Sequence, residues 1–177
     1  MAKLRKFVSY RRIERPYTRI SKYREKSYIR TTPNIKVVMF DMGNSKKQYD
    51  YAVTLHSNAL LQIRDNAIES ARETANRLME KTVGLNGYHM KVNIYPFHIL
   101  RENPLATGAG ADRFSTGMQK SFGKPIGSAA RIKKGQKLVT ISVDKPNLEI
   151  AKKAAHRASS KIPCHCTIMV TQNKPKS

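Results

Sequence analysis

From residue 35 onward the apolar residues follow two spacings, every second position or every third to fourth, and each spacing predicts a different element. The run "IKVVMFDMG" (35–43) closes on Gly43-Asn44-Ser45, which predicts a short strand and a turn. "YDYAVTLHS" (49–57) puts Tyr51, Val53 and Leu55 on one face, the alternation of a second strand. A long helix is expected next. Ser57 or Asn58 is placed to cap it, and Leu60, Ile63, Ala67, Ala71, Ala75, Leu78 and Met79 recur at three and four. Gly84 follows the last periodic residue, where a left-handed glycine would stop the helix. The other face, with Arg64, Asp65, Glu69, Arg72, Glu73, Arg77 and Glu80, reads as a solvated surface of mixed charge.

The pattern then repeats. "YHMKVNIYPFHIL" (88–100) predicts one strand carrying Met90, Val92 and Ile94, with Pro96 at its far edge. "QKLVTISV" (136–143) predicts another, followed by a helix from Asp144 to Ser160 with Pro146 in its first turn and Leu148, Ala151, Ala155 and Ala158 on a small-residue face. "PCHCTIMVTQ" (163–172) closes the set. Strand, helix, strand is a crossover unit, and two such units around one mixed sheet, with both helices on one face, make an α+β sandwich.

Two stretches obey neither spacing. Residues 1–34 interleave Arg and Lys with Tyr10, Tyr17, Tyr23 and Tyr28, and they lack the apolar surface that would offset the entropy of ordering them. They read as a basic arm that is disordered alone and orders on RNA, with Arg11, Arg12, Arg15, Tyr17, Arg19, Lys22 and Arg24 as its contacts. The second stretch is a loop at 101–131, far longer than ordinary connections. The expected organisation is thus an extension (1–34), one domain (35–172) with the loop inserted, and a short tail (173–177).

Charge follows the same division. The chain carries 34 Lys and Arg against 12 Asp and Glu, a net charge of +22. Residues 1–36 hold 12 basic and 2 acidic groups and residues 101–137 hold 8 and 2, whereas residues 37–100 hold 7 and 6. A nearly neutral platform between basic segments implies a standing polyanionic partner. No apolar run approaches the roughly 18 residues that cross a bilayer, and the first residues lack the apolar core of a secretory leader, so a soluble, cytoplasmic protein with no membrane partner is expected. Two cysteines are too few for a secreted disulfide framework.

Between Thr107 and Ile132 lie five of the nine glycines and a single acid, Asp112. A nucleotide-binding P-loop needs four residues between its glycines and then Lys and Ser or Thr. Here Gly117 and Gly123 are separated by five, and Lys124 is followed by Pro125. "GAGADR" has Arg113 where a dinucleotide fingerprint requires its third glycine. A glycine-rich insertion with no partner would not explain Arg101, Arg113, Lys120, Lys124, Arg131, Lys133 and Lys134 set through and beside it. Glycines let a backbone approach a phosphate chain, and spaced cations neutralise it, so the loop reads as a nucleic-acid contact with Phe114 and Phe122 to pin it or to stack on a base.

At this point a resemblance becomes specific. "AGADR" (109–113), "TGM" (116–118), "FGKP" (122–125) and "AR" (130–131), together with "RPY" (15–17), "FDMG" (40–43) and "YPFHILR" (95–101), resemble the L-sixteen/L-ten-e family of large-subunit ribosomal proteins from about Arg12 to Val170. The short end after Thr171 and the cysteine-free arm are similar to archaeal members. The resemblance implies a hammerhead-like α/β sandwich that binds large-subunit ribosomal RNA beside the cleft where aminoacyl-tRNA is accommodated. It also implies a loop directed toward the peptidyl-transferase centre and the tRNA acceptor arm. Carried over by position, the tRNA-proximal tip comprises Arg101, Gly108, Gly110, Asp112, Arg113 and Gly117; Lys120, Lys124 and Arg131, with Lys133 and Lys134 beyond them, hold its base to RNA. The implied partners are that RNA, the acceptor or elbow regions of tRNA and neighbouring ribosomal proteins, with no homo-oligomer.

No catalytic residue, metal or cofactor is expected. Cys164-His165-Cys166 alternates its sulfurs and imidazole across a strand and has no second pair to complete a zinc site, so a buried thiol pair is the reading. His56, His89, His98 and His156 are scattered, Asp112 beside Arg113 reads as a local ion pair or turn former, and Ser115, Thr116 and Ser121 have no base in sequence reach. Two alternatives stay open: a free-standing nucleic-acid binder, which composition alone does not separate from a ribosomal protein, and a phosphate-handling enzyme built on the loop.

Overall fold

A computed structural model describes residues 6–13, 23, 25, 33–102, 108, 110 and 123–173. In chain order the elements are β1 (Asp41–Gly43), β2 (Tyr51–Ser57), β3 (Leu61–Arg64), α1 (Asp65–Val83), β4 (Tyr88–Val92), β5 (His98–Glu102), β6 (Lys124–Ile132), β7 (Lys137–Val143), α2 (Leu148–Ser159) and β8 (Cys166–Gln172). The class is α+β with two main helices, as expected.

The strands form two sheets rather than one mixed sheet. The larger has the order β1-β4-β7-β2-β8 and the smaller β3-β6-β5, and every pairing among the described residues is antiparallel. The two crossover units are present but interleaved. β2 and β4 run parallel with β7 between them, and β7 and β8 run parallel with β2 between them, the split βαβ arrangement. Interleaving keeps the parallel strands of each unit from touching, which is why the mixed sheet is absent. Side chains in register form rows across the sheet, Val53–Ile141–Met90 and Leu55–Val139–Val92, all buried. Against them pack α1 and α2, which also pack on each other. Ala71 and Ala75 of α1 and Ala151, Ala154, Ala155 and Ala158 of α2 are buried, and such small side chains allow close helix approach.

Several element boundaries differ from the sequence expectation. Of the loop expected at 101–131, Arg101 belongs to β5 and residues 124–131 to β6, because these segments pair with each other and β6 also pairs with β3. The stretch 35–40 forms no strand, and only Asp41–Gly43 pairs, with β4. The first helix begins at Asp65 rather than near Ser57, because Leu61 and Ile63 alternate as a strand against Ile132 and Ala130, and Leu60 is left exposed. Asp65, read as solvated, is buried; its carboxylate accepts the backbone N–H groups of Lys36 (3.2 Å) and Asn66 (2.8 Å) at the helix start, where a negative charge is favoured. The run 88–100 splits into β4 and β5, one in each sheet, at the buried Pro96, which has no N–H to continue a ladder. The second helix starts at Leu148 after a single 3-10 turn, Lys145–Asn147, that contains Pro146.

Two glycines are required by the backbone. Gly84 ends α1 at φ 80°, its N–H bonded to the Glu80 carbonyl. Gly43 lies at φ 81° against β4, where a Cβ would stand 2.2 Å from the Tyr88 carbonyl oxygen.

Candidate nucleic-acid interface

The small sheet positions the basic residues. β5 and β6 form an antiparallel stem whose last pairs are Arg101 with Pro125 and Glu102 with Lys124, so the long loop leaves from this end. Lys124 is exposed at the stem and Arg101 is partly buried. Gly108 and Gly110 have φ values of 137° and 79°, a backbone region glycine enters freely. Asp112, Arg113, Gly117 and Lys120 lie outside the described residues, as do Phe114 and Phe122.

At its other end β6 runs into the tight turn that presents Lys133 and Lys134, both exposed. That turn is held from several sides. Lys133 N–H donates to Gln136 Oε1 (2.9 Å), and Gln136 N–H donates to the Lys133 carbonyl (3.2 Å). Gly135, at φ 79°, donates its N–H to the Ser57 carbonyl (2.7 Å), while Ser57 N–H donates to Gln136 (3.1 Å). His56 Nδ1–H donates to the Gly135 carbonyl (2.9 Å), and its Nε2 lies 2.9 Å from the Thr54 hydroxyl. Two ammonium groups therefore project from a fixed backbone, so less ordering entropy would be lost on binding an anion there.

The outer face of the small sheet receives the end of the basic arm. Tyr10, expected with the rest of the arm to order only on RNA, is instead 8% exposed, packed with Leu100 and Ala129 and lying under the Arg64 guanidinium at 5.3 Å. Gln62 clamps the same segment. Its side-chain amide donates to the carbonyls of Tyr10 and Arg12 (the latter at 3.1 Å), and its backbone N–H donates to Arg11 (3.4 Å). Gln62 is paired in register with Arg131, so the backbone of Arg11 and Arg12 is fixed beside the strand pair that carries Arg131. All three arginines are exposed. Arg15, Tyr17, Arg19, Lys22 and Arg24 lie outside the described residues.

His98, on β5 opposite Ala129, is buried within this group. Burial first, then the charges of Arg131 and Arg101, lower its pKa to about 4, so the ring is neutral at physiological pH. The sequence reading missed His98, Gln62 and Arg64 as parts of the site. Gln62, a polar residue between Leu61 and Ile63, was the one available signal, since a buried amide needs partners.

Elsewhere the polar residues serve structure. His89 Nε2 meets Asp41 Oδ1 at 3.2 Å across β4 and β1, and Arg72 bonds Glu69 one turn earlier on α1. Cys164 precedes β8 and Cys166 opens it, and both are partly exposed rather than buried. Among the described residues no three His, Cys, Asp or Glu side chains are placed to share a metal ion, and no helix is long and apolar enough to cross a membrane.

Comparison with known proteins agrees with this picture. Residues 15–169 match the family model described as ribosomal protein L16p/L10e. The chain is 45% identical over 161 residues to the large ribosomal subunit protein uL16 of Archaeoglobus fulgidus, covering 91% of this chain and 89% of that one. It is 44% identical over 171 residues to uL16 of Methanococcus maripaludis strain S2, covering 97% and 96%. A third relative, uL16 of Methanococcus maripaludis strain C5, is 45% identical over 152 residues, covering 86% and 88%. With identities of this size across nearly the whole of each chain, and a model match that runs from Arg15 through the loop to Met169, the chain belongs to the ribosomal protein L16p/L10e family, in its archaeal form.

Proposed function

We propose that this chain is a structural constituent of the large ribosomal subunit in the cytoplasm, that it binds large-subunit ribosomal RNA near the tRNA accommodation cleft, and that its loop reaches toward the peptidyl-transferase centre and tRNA acceptor ends. The names of its relatives support the subunit assignment. The observation that carries the RNA reading is the anchoring of the Arg11–Arg12 backbone by Gln62, in register with the exposed Arg131, with the loop stem on that same sheet and the fixed Lys133–Lys134 turn where it ends. The hammerhead description of the family belongs to the same proposal.

The mechanism is electrostatic and steric and involves no covalent step. The helix-backed body keeps the small sheet rigid, cations on that sheet displace counterions from the RNA backbone, and the stem fixes the direction in which the loop leaves. Glycines in the loop let its backbone approach phosphate, and Arg113 supplies a charge at the tip.

The test joins location and function. The tagged chain should co-sediment with large subunits at near-equal copy number, and an exclusively free pool would reject the ribosomal assignment in favour of a free-standing binder. Arg113→Ala should leave sedimentation intact and slow tRNA accommodation or subunit maturation. Normal rates in both would remove the tip from the mechanism.

A further inference from the structure

The mechanism above leaves Cys164 and Cys166 unused. They lie one residue apart where the chain enters β8, with their sulfurs 3.7 Å from each other and both side chains partly open to solvent. Each sulfur has a polar neighbour. Ser57 Oγ stands 3.6 Å from Cys164 Sγ, and Cys166 S–H donates to the Cys164 carbonyl (3.5 Å). The backbone around them is held in place, since Asn58 N–H donates to the His165 carbonyl (3.0 Å) and Cys166 is in register with Ser57.

We propose that Cys164 and Cys166 form a modification site, a dithiol that small hydroperoxides convert to an intramolecular disulfide. Sulfurs 3.7 Å apart need to close by about 1.7 Å to reach bonding distance. The same separation would suit two thiolates on one tetrahedral zinc with bonds of roughly 2.3 Å. Among the described residues, however, no third His, Cys, Asp or Glu side chain is placed to join them, so a covalent bond between the two sulfurs is favoured over a shared ion.

The chemistry balances in two steps. The Cys164 thiolate attacks the terminal oxygen of the hydroperoxide; the O–O bond breaks, the alcohol or water leaves with the proton, and Cys164 becomes a sulfenic acid. Cys166 sulfur then attacks Cys164 sulfur, the S–S bond forms, the S–O bond breaks, and water departs with the Cys166 proton. Two electrons pass from the dithiol to the peroxide. The order of attack follows from the surroundings. When Cys164 ionises, the Cys166 S–H turns from the Cys164 carbonyl to the Cys164 sulfur. That contact, aided by the Ser57 hydroxyl and the neighbouring His165, holds the Cys164 pKa below its ordinary value, while the bond to Cys164 and burial push that of Cys166 up. A neighbouring thiol that captures the sulfenic acid also stops oxidation short of the irreversible acids.

The experiment uses the full chain, reduced and folded, treated with hydrogen peroxide. In wild type the tryptic peptide that follows Lys161 should lose about 2 Da, both cysteines should become unreactive to maleimide without forming dimers, and dithiothreitol should restore them. Cys166→Ser should trap a dimedone-reactive sulfenic acid at Cys164. Cys164→Ser should leave Cys166 slower toward peroxide by about tenfold or more. The proposal is overturned by wild type that stays reduced under conditions that oxidise Cys166→Ser, by sulfinic acid or intermolecular dimers as the sole products, or by Cys166 reacting first. The wild-type mass change decides the matter even if a serine variant fails to fold.

Discussion

Acidification offers the sharpest test of how the small sheet is built. His98 is 8% exposed on β5, and its pKa falls from 6.5 to about 4, first through burial and then through Arg131 and Arg101. In the unfolded chain the ring regains an ordinary value near 6.5. Between these two titrations the unfolded state binds a proton that the folded state refuses, so stability rises with pH across that window. The contribution is complete above pH 6.5, declines as pH falls, and stops declining near pH 4, where the folded ring also protonates. At 1.36 kcal/mol per pH unit the separation bounds the loss at about 3.4 kcal/mol. Solvent near the exposed Arg131 screens its repulsion, and about 2 kcal/mol is the expected loss.

The assay is urea unfolding of wild type and His98→Gln from pH 7.5 to pH 4. The variant has no such titration, so the wild-type advantage should shrink by about 2 kcal/mol over that range with equal m-values. Arg131→Gln should raise the titration midpoint of the folded ring, as read by its NMR shift. A stability difference independent of pH, or a folded-state ring that titrates between pH 6 and 7, would refute the buried placement of His98 under two arginines.

Three further outcomes are expected. Gly43→Ala should destabilise by about 2 kcal/mol or more, since a left-handed backbone and a Cβ 2.2 Å from the Tyr88 carbonyl both oppose it; chemical denaturation reads this, and a loss under 0.5 kcal/mol would contradict the geometry. Tyr10→Ala should cost about 2–3 kcal/mol in the free protein, because the ring is packed on Leu100 and Ala129; an unchanged melting temperature would show that residues 6–13 detach. Lys133→Gln with Lys134→Gln should leave stability within about 0.5 kcal/mol. The same pair should reduce the salt slope of binding to a large-subunit RNA fragment by about two, and an unchanged slope would place the turn away from phosphate.

Much of this protein was legible along the chain. Alternation marked β2, an apolar run marked β7, three-and-four spacing marked the body of α1 and the alanine face of α2, and Gly84 marked a helix end, because each of these depends on local sequence alone. The basic, glycine-rich character of the segment after β5 was equally plain, since charge and glycine act through local backbone and surface, but the pairing of residues 124–131 as a strand and the tight turn at Lys133 and Lys134 were not. What local pattern does not encode is which segment supplies the cover. Leu60 and Ile63 fit a helix by spacing, yet pairing of Leu61 and Ile63 with β6 decided for a strand. One apolar run became two strands because its halves found different sheets, and two crossover units interleaved so that only antiparallel neighbours remain. Tyr10 looks in sequence like any tyrosine of a cationic arm; only the pocket formed by Leu100, Ala129 and Arg64 makes it an anchor. His98 is likewise an ordinary histidine until folding places Arg101 and Arg131 around it. Periodicity reports the direction a side chain must face, whereas the partner it meets is chosen by long-range packing, and that choice exists only in three dimensions.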